Sequence, residues 1–521
     1  MTISAPQEYL KPPPENGRLR TDTLAASVVI LMLVTIVQRS VGFGRGILFC
    51  RWLSPEALGE WEMTYSFLML AAPLAVLGVP GSFGRYVEHY RQQGHLRTFL
   101  RRTTIWTFGC CLLAFAVILG FAPQFSQLIF GGEDWAPMMI GIALCLVTII
   151  FHHMLVSLFT ALRMVRVVSA MNFANSLLFA TLSLGLLWWM PRVTSLLIGY
   201  GVACLVASLG ALAWTLPGFK QIDAPQENLA QYEFWGKLLR FAFFVWISNF
   251  LAHLFGIVDR YMIVHYGGLT PTEAMQQVGF YHSSRLVPML MVSFADLLSS
   301  LSLPHLSHDW ESGLREQVGR RLNFTLKFTC LGMLAFGVGV LWFSPLLFSV
   351  ILQGKYDDGL AVLPWTLAGC SWYGFYAVAH NYLWCAEKTR QATLPLAAGL
   401  FVNILLNLML LPIWGLLGAV LATAISTLLC YVSTLLLNRH YGMPVSRGAW
   451  LLGLAPAALG LGAIPATITL FLLVGLAVGT SLIFDHRERQ EIRQRIAYAL
   501  SRYWPATDHR VREQTFDFRQ S

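Results

Sequence analysis

The sequence predicts an all-α, polytopic membrane protein with about fourteen transmembrane helices, and three observations carry the prediction. Of the 521 residues, 56% are hydrophobic and only 12% charged, with a mean hydropathy of +0.59. A soluble domain carries about 25% charged residues, so half of the usual solvating surface is missing. The apolar residues also come in long blocks, such as Leu24–Val37, Thr104–Phe121, Ser195–Trp214 and Leu322–Trp342. A run of about 20 such residues crosses a bilayer as a helix. Period-2 alternation is absent, which excludes a closed barrel and leaves helices as the spanning element. The third observation is that basic residues concentrate in alternate connections.

Taken in chain order, residues 1–23 form a polar segment containing KPPPENGRLR. No small-residue cleavage site follows it, so the first apolar block is a spanning helix and not a removed signal peptide. Spans are expected at 24–48, 60–84, 103–122, 136–160, 167–189 and 193–215, making a first lobe over 24–219. A linker, 220–238, contains KQIDAPQENLAQYEFWG. A second lobe over 239–438 holds spans at 239–265, 277–303, 322–346, 360–385, 392–412 and 415–437. Residues 449–484 add a thirteenth and fourteenth span at 449–464 and 466–484, either two short helices or a re-entrant hairpin. The tail, 485–521, begins DHRERQEIRQRIAYALSRYW and repeats Ile492, Ile496, Leu500 and Trp504 at i, i+4. That spacing suits a basic helix on the inner leaflet, with a solvated tail as the alternative.

Basic residues orient this array. Lys11, Arg18 and Arg20 precede the first span. Arg85, Arg91, Arg97, Arg101 and Arg102 lie in the second connection, and later even-numbered connections carry Arg163, Arg166, Lys220, Arg240, Arg315, Arg321, Lys388 and Arg439. Eight more arginines follow Asp485, whereas the opposite side has only Arg51, Arg192 and Lys355. Both termini are therefore expected in the cytoplasm. The net charge of +9 is the signature of that orientation, and nucleic-acid binding is not needed to explain it. The nine cysteines form no CxxC pair and fall mostly in apolar runs, as small buried hydrophobes do.

The two lobes repeat one another. RGILFCRWLSPEALGEWEMTYS at the end of span 1 matches RYMIVHYGGLTPTEAMQQVGFYHS at the end of span 7, pairing Arg45 with Arg260 and Ser54-Pro55 with Thr270-Pro271. LIFGGEDWAPMM matches ILQGKYDDGLAVL, pairing Gly131 with Gly354. TALRMVRVVSAMNFANSLL matches CAEKTRQATLPLAAGLFVNILL, pairing Asn175 with Asn403. Three matches in one order point to a duplicated six-helix unit. Six is even, so both copies share one orientation, and parallel repeats of this kind place a substrate site between the halves.

The stretches GKYDDGLAVLPWTLAG, LWCAEKTRQATLPLAAGLFVNILLNLMLLPIWGLLGAVLATAIST and QRSVGFGRGILFCRWLSPEALGEW resemble polysaccharide (O-antigen, Wzx-type) flippases of the MOP superfamily, over roughly residues 25–440. The same superfamily holds the lipid II flippases and the MATE drug exporters. The resemblance implies two pseudo-symmetric six-helix bundles around a central cavity, with two further C-terminal helices here. It also implies alternating access in the bacterial inner membrane and export of an undecaprenyl-pyrophosphate-linked oligosaccharide, in concert with glycosyltransferases and a polysaccharide polymerase.

Charges inside spans mark the candidate site, because a charge at a helix centre costs about 2.5–3.5 kcal/mol on insertion scales. Arg39 and Arg45 lie in span 1, Asp259 and Arg260 in span 7, and Arg285 and Asp296 in span 8. Spans 1 and 7, as equivalent helices, are expected to face each other. Arg285 and Asp296 are three turns apart on one face, about 16 Å along the helix. Asp259 and Arg260 diverge by about 100° and cannot both point into one cavity. Arg39, Arg45, Arg260 and Arg285 are the candidate substrate-binding residues, because the planar guanidinium bonds phosphate oxygens in pairs and keeps its proton. Lipid headgroups or interhelical carboxylates would use the same arginines. Trp61, Tyr65, Tyr281, Trp372 and Tyr373 are aromatic platforms suited to sugars. Asp259, Asn403, Asn407 and Thr427, with Thr423, offer oxygens for a coupling Na⁺ or H⁺, as a cation site in the second lobe of the resembling lipid II flippases implies. An Asp259–arginine pair with interhelical amide bonds is the alternative.

Three functions compete. A flippase needs a cationic cavity and no cofactor beyond a coupling ion, and no GxxxxGK[ST] sequence for ATP is present. A MATE-like multidrug antiporter needs an anionic or apolar cavity. A membrane-embedded polymerase or acyltransferase needs paired acids or histidines on a sizeable outer loop, and the outer loops here are short.

Overall fold

The computed structural model describes residues 24–219, 230–490 and 494, and among them there are no strands. The N-terminal segment 1–23, linker residues 220–229 and the tail motif around Ile496, Leu500 and Trp504 lie outside the described residues.

The first bundle comprises α1 (Leu24–Trp52), α2 (Pro55–Ala75), α3 (Phe83–Gln92), α4 (Leu96–Gly120), α5 (Ala122–Phe130), α6 (Met139–Ala161), α7 (Val165–Trp189) and α8 (Val193–Phe219). The second comprises α9 (Gln231–Tyr266), α10 (Pro271–Arg285), α11 (Pro288–Glu311), α12 (Arg315–Leu346), α13 (Asp357–Ala379), two short helices α14 (Asn381–Cys385) and α15 (Thr389–Ala392), and α16 (Leu394–His440). α17 (Arg447–Leu454), α18 (Ala457–Gly460) and α19 (Ala463–Gly479) pack on α12 and α13. Each of the fourteen expected spans overlaps at least one helix, although several run through breaks. By length and hydropathy alone, seven helices among the described residues are long and apolar enough to cross a membrane, with an eighth if a bent pair counts as one.

The helices present hydrocarbon outward. Ile105, Phe108, Leu113, Phe401, Ile464 and Phe471 are all exposed, and a helix apolar on every side is stable only where its surroundings are apolar too. Trp188 and Trp189 stand exposed at one end of α7, where amphipathic rings meet headgroups.

Spans 2 and 8 are broken within their expected bounds. Span 2 leaves α2 at Val76–Gly78 and turns by 63° into the short, amphipathic α3. Span 8 breaks between Arg285 and Pro288, because proline has no N–H to continue the ladder of α10. Spans 11 and 12 are two helical arms, together called α16, that meet at a kink at Gly415, whose φ of 54° and ψ of −134° suit glycine alone. The duplication is visible in the caps. Ser54 caps α2 and Thr270 caps α10, each followed by proline at the first helical position, and Thr270 forms a capping box with Glu273.

The first helices of the two repeats, α1 and α9, do not pack broadly against each other. α1 packs chiefly on α7, and α9 packs on α16, α2 and α10. The broad contact between bundles is instead α2 against α10. There the backbones touch at Gly59 and Gly279: a Cβ on Gly59 would collide with the Met275 carbonyl, and one on Gly279 with that of Pro55. Small residues allow this approach, as in membrane helix pairs generally.

Candidate functional site

α9 carries Asp259 and Arg260 near the bundle junction, and the helical turn between them sends the two side chains different ways. Asp259 turns into the second bundle and is 2% exposed. Its Oδ2 accepts from the Tyr281 hydroxyl at 3.0 Å, and its Oδ1 accepts from Asn403 Nδ2 at 2.9 Å and Asn407 Nδ2 at 3.4 Å. Asn403 Nδ2 also reaches Thr423 Oγ1 at 3.3 Å, across the two arms of α16. Asn407 Oδ1 is buried with no hydrogen-bond partner. The cluster thus gathers a carboxylate, amide carbonyls and a threonine hydroxyl, which is a donor set for a hard cation. Thr423 and Thr427 both bond back to carbonyls of their own helix, Thr423 to Ala419 and Thr427 to Thr423 and Ala424, and of the two it is Thr423 that also meets Asn403. Thr423 is the threonine that joins the cluster.

Beside the cluster lies a cavity of about 240 Å³ inside the second bundle, lined among others by Asp259, Tyr281, Arg285, Asp296, Trp365 and Tyr373. Arg285 and Asp296 line it together even though the helix breaks between them. The Arg285 guanidinium lies over the Tyr281 ring, 5.3 Å from its centroid, and its Nη2 approaches the Met289 sulfur at 3.6 Å. Its Nη1 is buried without a partner. A buried donor left unpaired is costly, so this N–H group is poised for an acceptor.

Arg260 turns the other way, toward the first bundle. Its Nη2 pairs with Glu62 Oε1 on α2 at 2.6 Å, and its Nη1 donates to the Gly256 carbonyl at 3.0 Å. His282 on α10 donates from Nδ1 to Glu62 Oε2 at 2.7 Å. Both side chains of the ion pair are 9% exposed, and Arg260 Nε has no partner. Glu62 stands one turn from Gly59, so the close backbone approach at the α2–α10 contact brings its carboxylate within reach of α9 and α10.

The remaining predicted arginines lie apart from this group. Arg45 packs within the first bundle, its guanidinium 4.1 Å from the Phe179 ring centroid in an aromatic nest that includes Phe49, Trp61, Tyr65 and Tyr200. Arg39 is exposed and within electrostatic range of Asp296. Tyr281 and Tyr373 line the cavity, whereas Trp372 is buried and donates to the Gly453 carbonyl at 2.8 Å, which fixes it as a packing residue. Sequence reasoning missed Glu62 and His282. The signal was available for Glu62, an acid inside an apolar span, but nothing local to it points to a partner on α9.

Two bundles of repeated topology, joined at a buried charged site, define the class: a multi-pass membrane protein with the fold of MOP-superfamily transporters. The profile of the family described as "Polysaccharide biosynthesis protein" matches residues 24–308, and the chain belongs to that family. The lipid II flippase MurJ of Bacillus subtilis (strain 168) is 20% identical over 459 residues, covering 80% of this chain and 83% of MurJ. Among solved structures, a lipid II flippase MurJ in an inward closed conformation superposes with a TM-score of 0.67 at 13% identity, over 86% of this chain and 98% of that one. An inward-facing MATE-family multidrug resistance transporter of the MOP superfamily follows at 0.61 and 12%, over 79% and 98%. At such identities the structural likeness concerns the fold.

Proposed function

We propose that this protein is a flippase that moves an undecaprenyl-pyrophosphate-linked oligosaccharide across the bacterial inner membrane by alternating access, for cell-surface polysaccharide. The observation that carries the reading is two unpartnered buried arginine donors within electrostatic range of one another, Nε of Arg260 at the bundle junction and Nη1 of Arg285 at the second-bundle cavity. Buried cationic donors without acceptors favour an anionic group, and a diphosphate offers several oxygens in the geometry that guanidinium groups bond. In this reading Arg260 and Arg285 take the diphosphate and Arg39 guides it. Arg45 braces the first bundle, and Tyr373 and Trp365 flank the first sugar. Both termini are cytoplasmic, which puts the Ser54 and Thr270 ends of α2 and α10 on the outer side.

Transport against a gradient needs a driving ion, and the Asp259, Asn403, Asn407 and Thr423 oxygens are suited to hold Na⁺ or to take a proton. Asn407 Oδ1, unpartnered beside a buried carboxylate, supports a bound cation. The protein works alongside the glycosyltransferases that build the cargo and a polymerase that consumes it, and itself makes no covalent change. Deleting the gene tests the function. The expected result is lipid-linked oligosaccharide stranded on the inner leaflet and loss of surface glycan. Normal surface glycan with increased sensitivity to cationic dyes would assign drug export instead.

A further inference from the structure

The charged site contains an interaction that moving cargo does not by itself require, a buried ion pair between the two bundles. Glu62 on α2 is held from the opposite bundle by Arg260 at 2.6 Å and His282 at 2.7 Å. It stands one turn from the Gly59–Gly279 crossing, where α2 and α10 meet backbone to backbone. Separating these helices must break the pair. Asp259, the acid next to Arg260 in the chain, cannot replace Glu62, since Tyr281, Asn403 and Asn407 already engage it. A guanidinium left buried and unpaired is strongly unfavourable, so Arg260 can release Glu62 only when another anion takes its place. Arg260 Nε and Arg285 Nη1 have hydrogens free to receive that anion, and Arg260, Arg285 and Glu62 lie within electrostatic range of one another.

We propose that Glu62 is a positioning residue that stands in for the cargo's phosphate: it pairs with Arg260 to hold the α2–α10 seam shut, and an incoming diphosphate displaces it from Arg260 so that the seam opens. This rests on the function proposed above, and it explains how opening is tied to loading. In the empty protein the seam stays closed because opening strands a buried charge. In the loaded protein the diphosphate keeps Arg260 neutralised, and Glu62 leaves with α2, exchanging Arg260 and His282 for water. His282, from α10, steadies the carboxylate in the closed form.

The test measures the distance across the seam by electron paramagnetic resonance. Spin labels go on Arg51→Cys and Thr272→Cys in the full-length protein, reconstituted in lipid, with its native cysteines replaced. Without ligand, the parent protein is expected to show a single short distance. Glu62→Gln is expected to raise the ratio of open to closed by at least about tenfold, because the pair is lost and the guanidinium no longer restrains the seam. Undecaprenyl pyrophosphate is expected to open the parent protein and to add nothing to Glu62→Gln. The reciprocal exchange Glu62→Arg with Arg260→Glu keeps a pair and is expected to restore the short distance, which guards against a misfolded single variant. A Glu62→Gln protein that keeps the short distance overturns the latch. A parent protein that opens with neither undecaprenyl pyrophosphate nor inorganic pyrophosphate overturns the exchange. Opening with inorganic pyrophosphate alone upholds the exchange and refutes the lipid-linked cargo of the proposed function.

Discussion

The Tyr281 hydroxyl donates to Asp259 Oδ2 at 3.0 Å while the same ring lies beneath Arg285. One side chain thus touches both the oxygen-rich cluster and the cationic wall of the cavity. A hydrogen bond to a buried charged group contributes about 1.5–3 kcal/mol. Tyr281→Phe should destabilise the protein by about that amount, read from unfolding in detergent. In an Asp259→Asn background the loss should shrink, since the two residues act through one bond. Equal losses in both backgrounds would separate Tyr281 from Asp259.

Cation binding to the Asp259 cluster should be visible without transport. A ligand that binds only the folded state raises its stability by mass action, about 2.7 kcal/mol at a hundredfold excess over Kd. Raising Na⁺ at constant ionic strength should therefore raise the thermal midpoint of the parent protein and leave Asp259→Asn and Asn403→Ala unchanged. A midpoint indifferent to Na⁺ in all three would leave the proton as the driving ion.

Gly279→Val should disrupt the α2–α10 crossing, because any Cβ there collides with the Pro55 carbonyl. Transport should fall at least about tenfold with the protein still inserted, as expected when a close helix contact loses its small residue. Uptake measured beside surface expression separates a broken seam from a failure to fold.

Lys327 on α12 is 1% exposed and is bonded by both oxygens of Glu488, at 3.0 and 2.8 Å, just beyond α19. Removing only Glu488 leaves a buried ammonium group, so Glu488→Gln should cost about 3–5 kcal/mol. Adding Lys327→Met should recover much of that loss. Thermal unfolding of the two variants checks the order.

The fold was largely legible because a bilayer forces apolar residues into runs of spanning length. The Ser54-Pro55 and Thr270-Pro271 pairs likewise announce two equivalent helix starts. The breaks at Val76–Gly78 and after Arg285 went unread, although Gly78, Pro80 and Pro288 are the turn and helix-start signals that mark them. At the site, the one-turn spacing of Asn403 and Asn407 already places both amides on one face. The choice between Thr423 and Thr427 depends on how Gly415 turns the second arm of α16, which no periodicity records. Arg260 shows the sharper limit. Its sequence context marks a charge within a membrane span, but its ion pair with Glu62 is made by two bundles meeting, and the two residues lie in different repeats.

Reconstituted flipping is the most direct measurement of the central claim. Purified protein in liposomes, given a fluorescent undecaprenyl-pyrophosphate-linked sugar, should move it between leaflets, and Arg285→Ala should abolish that movement while remaining folded. Movement at the parent rate in Arg285→Ala, or none in the parent protein, would contradict the account.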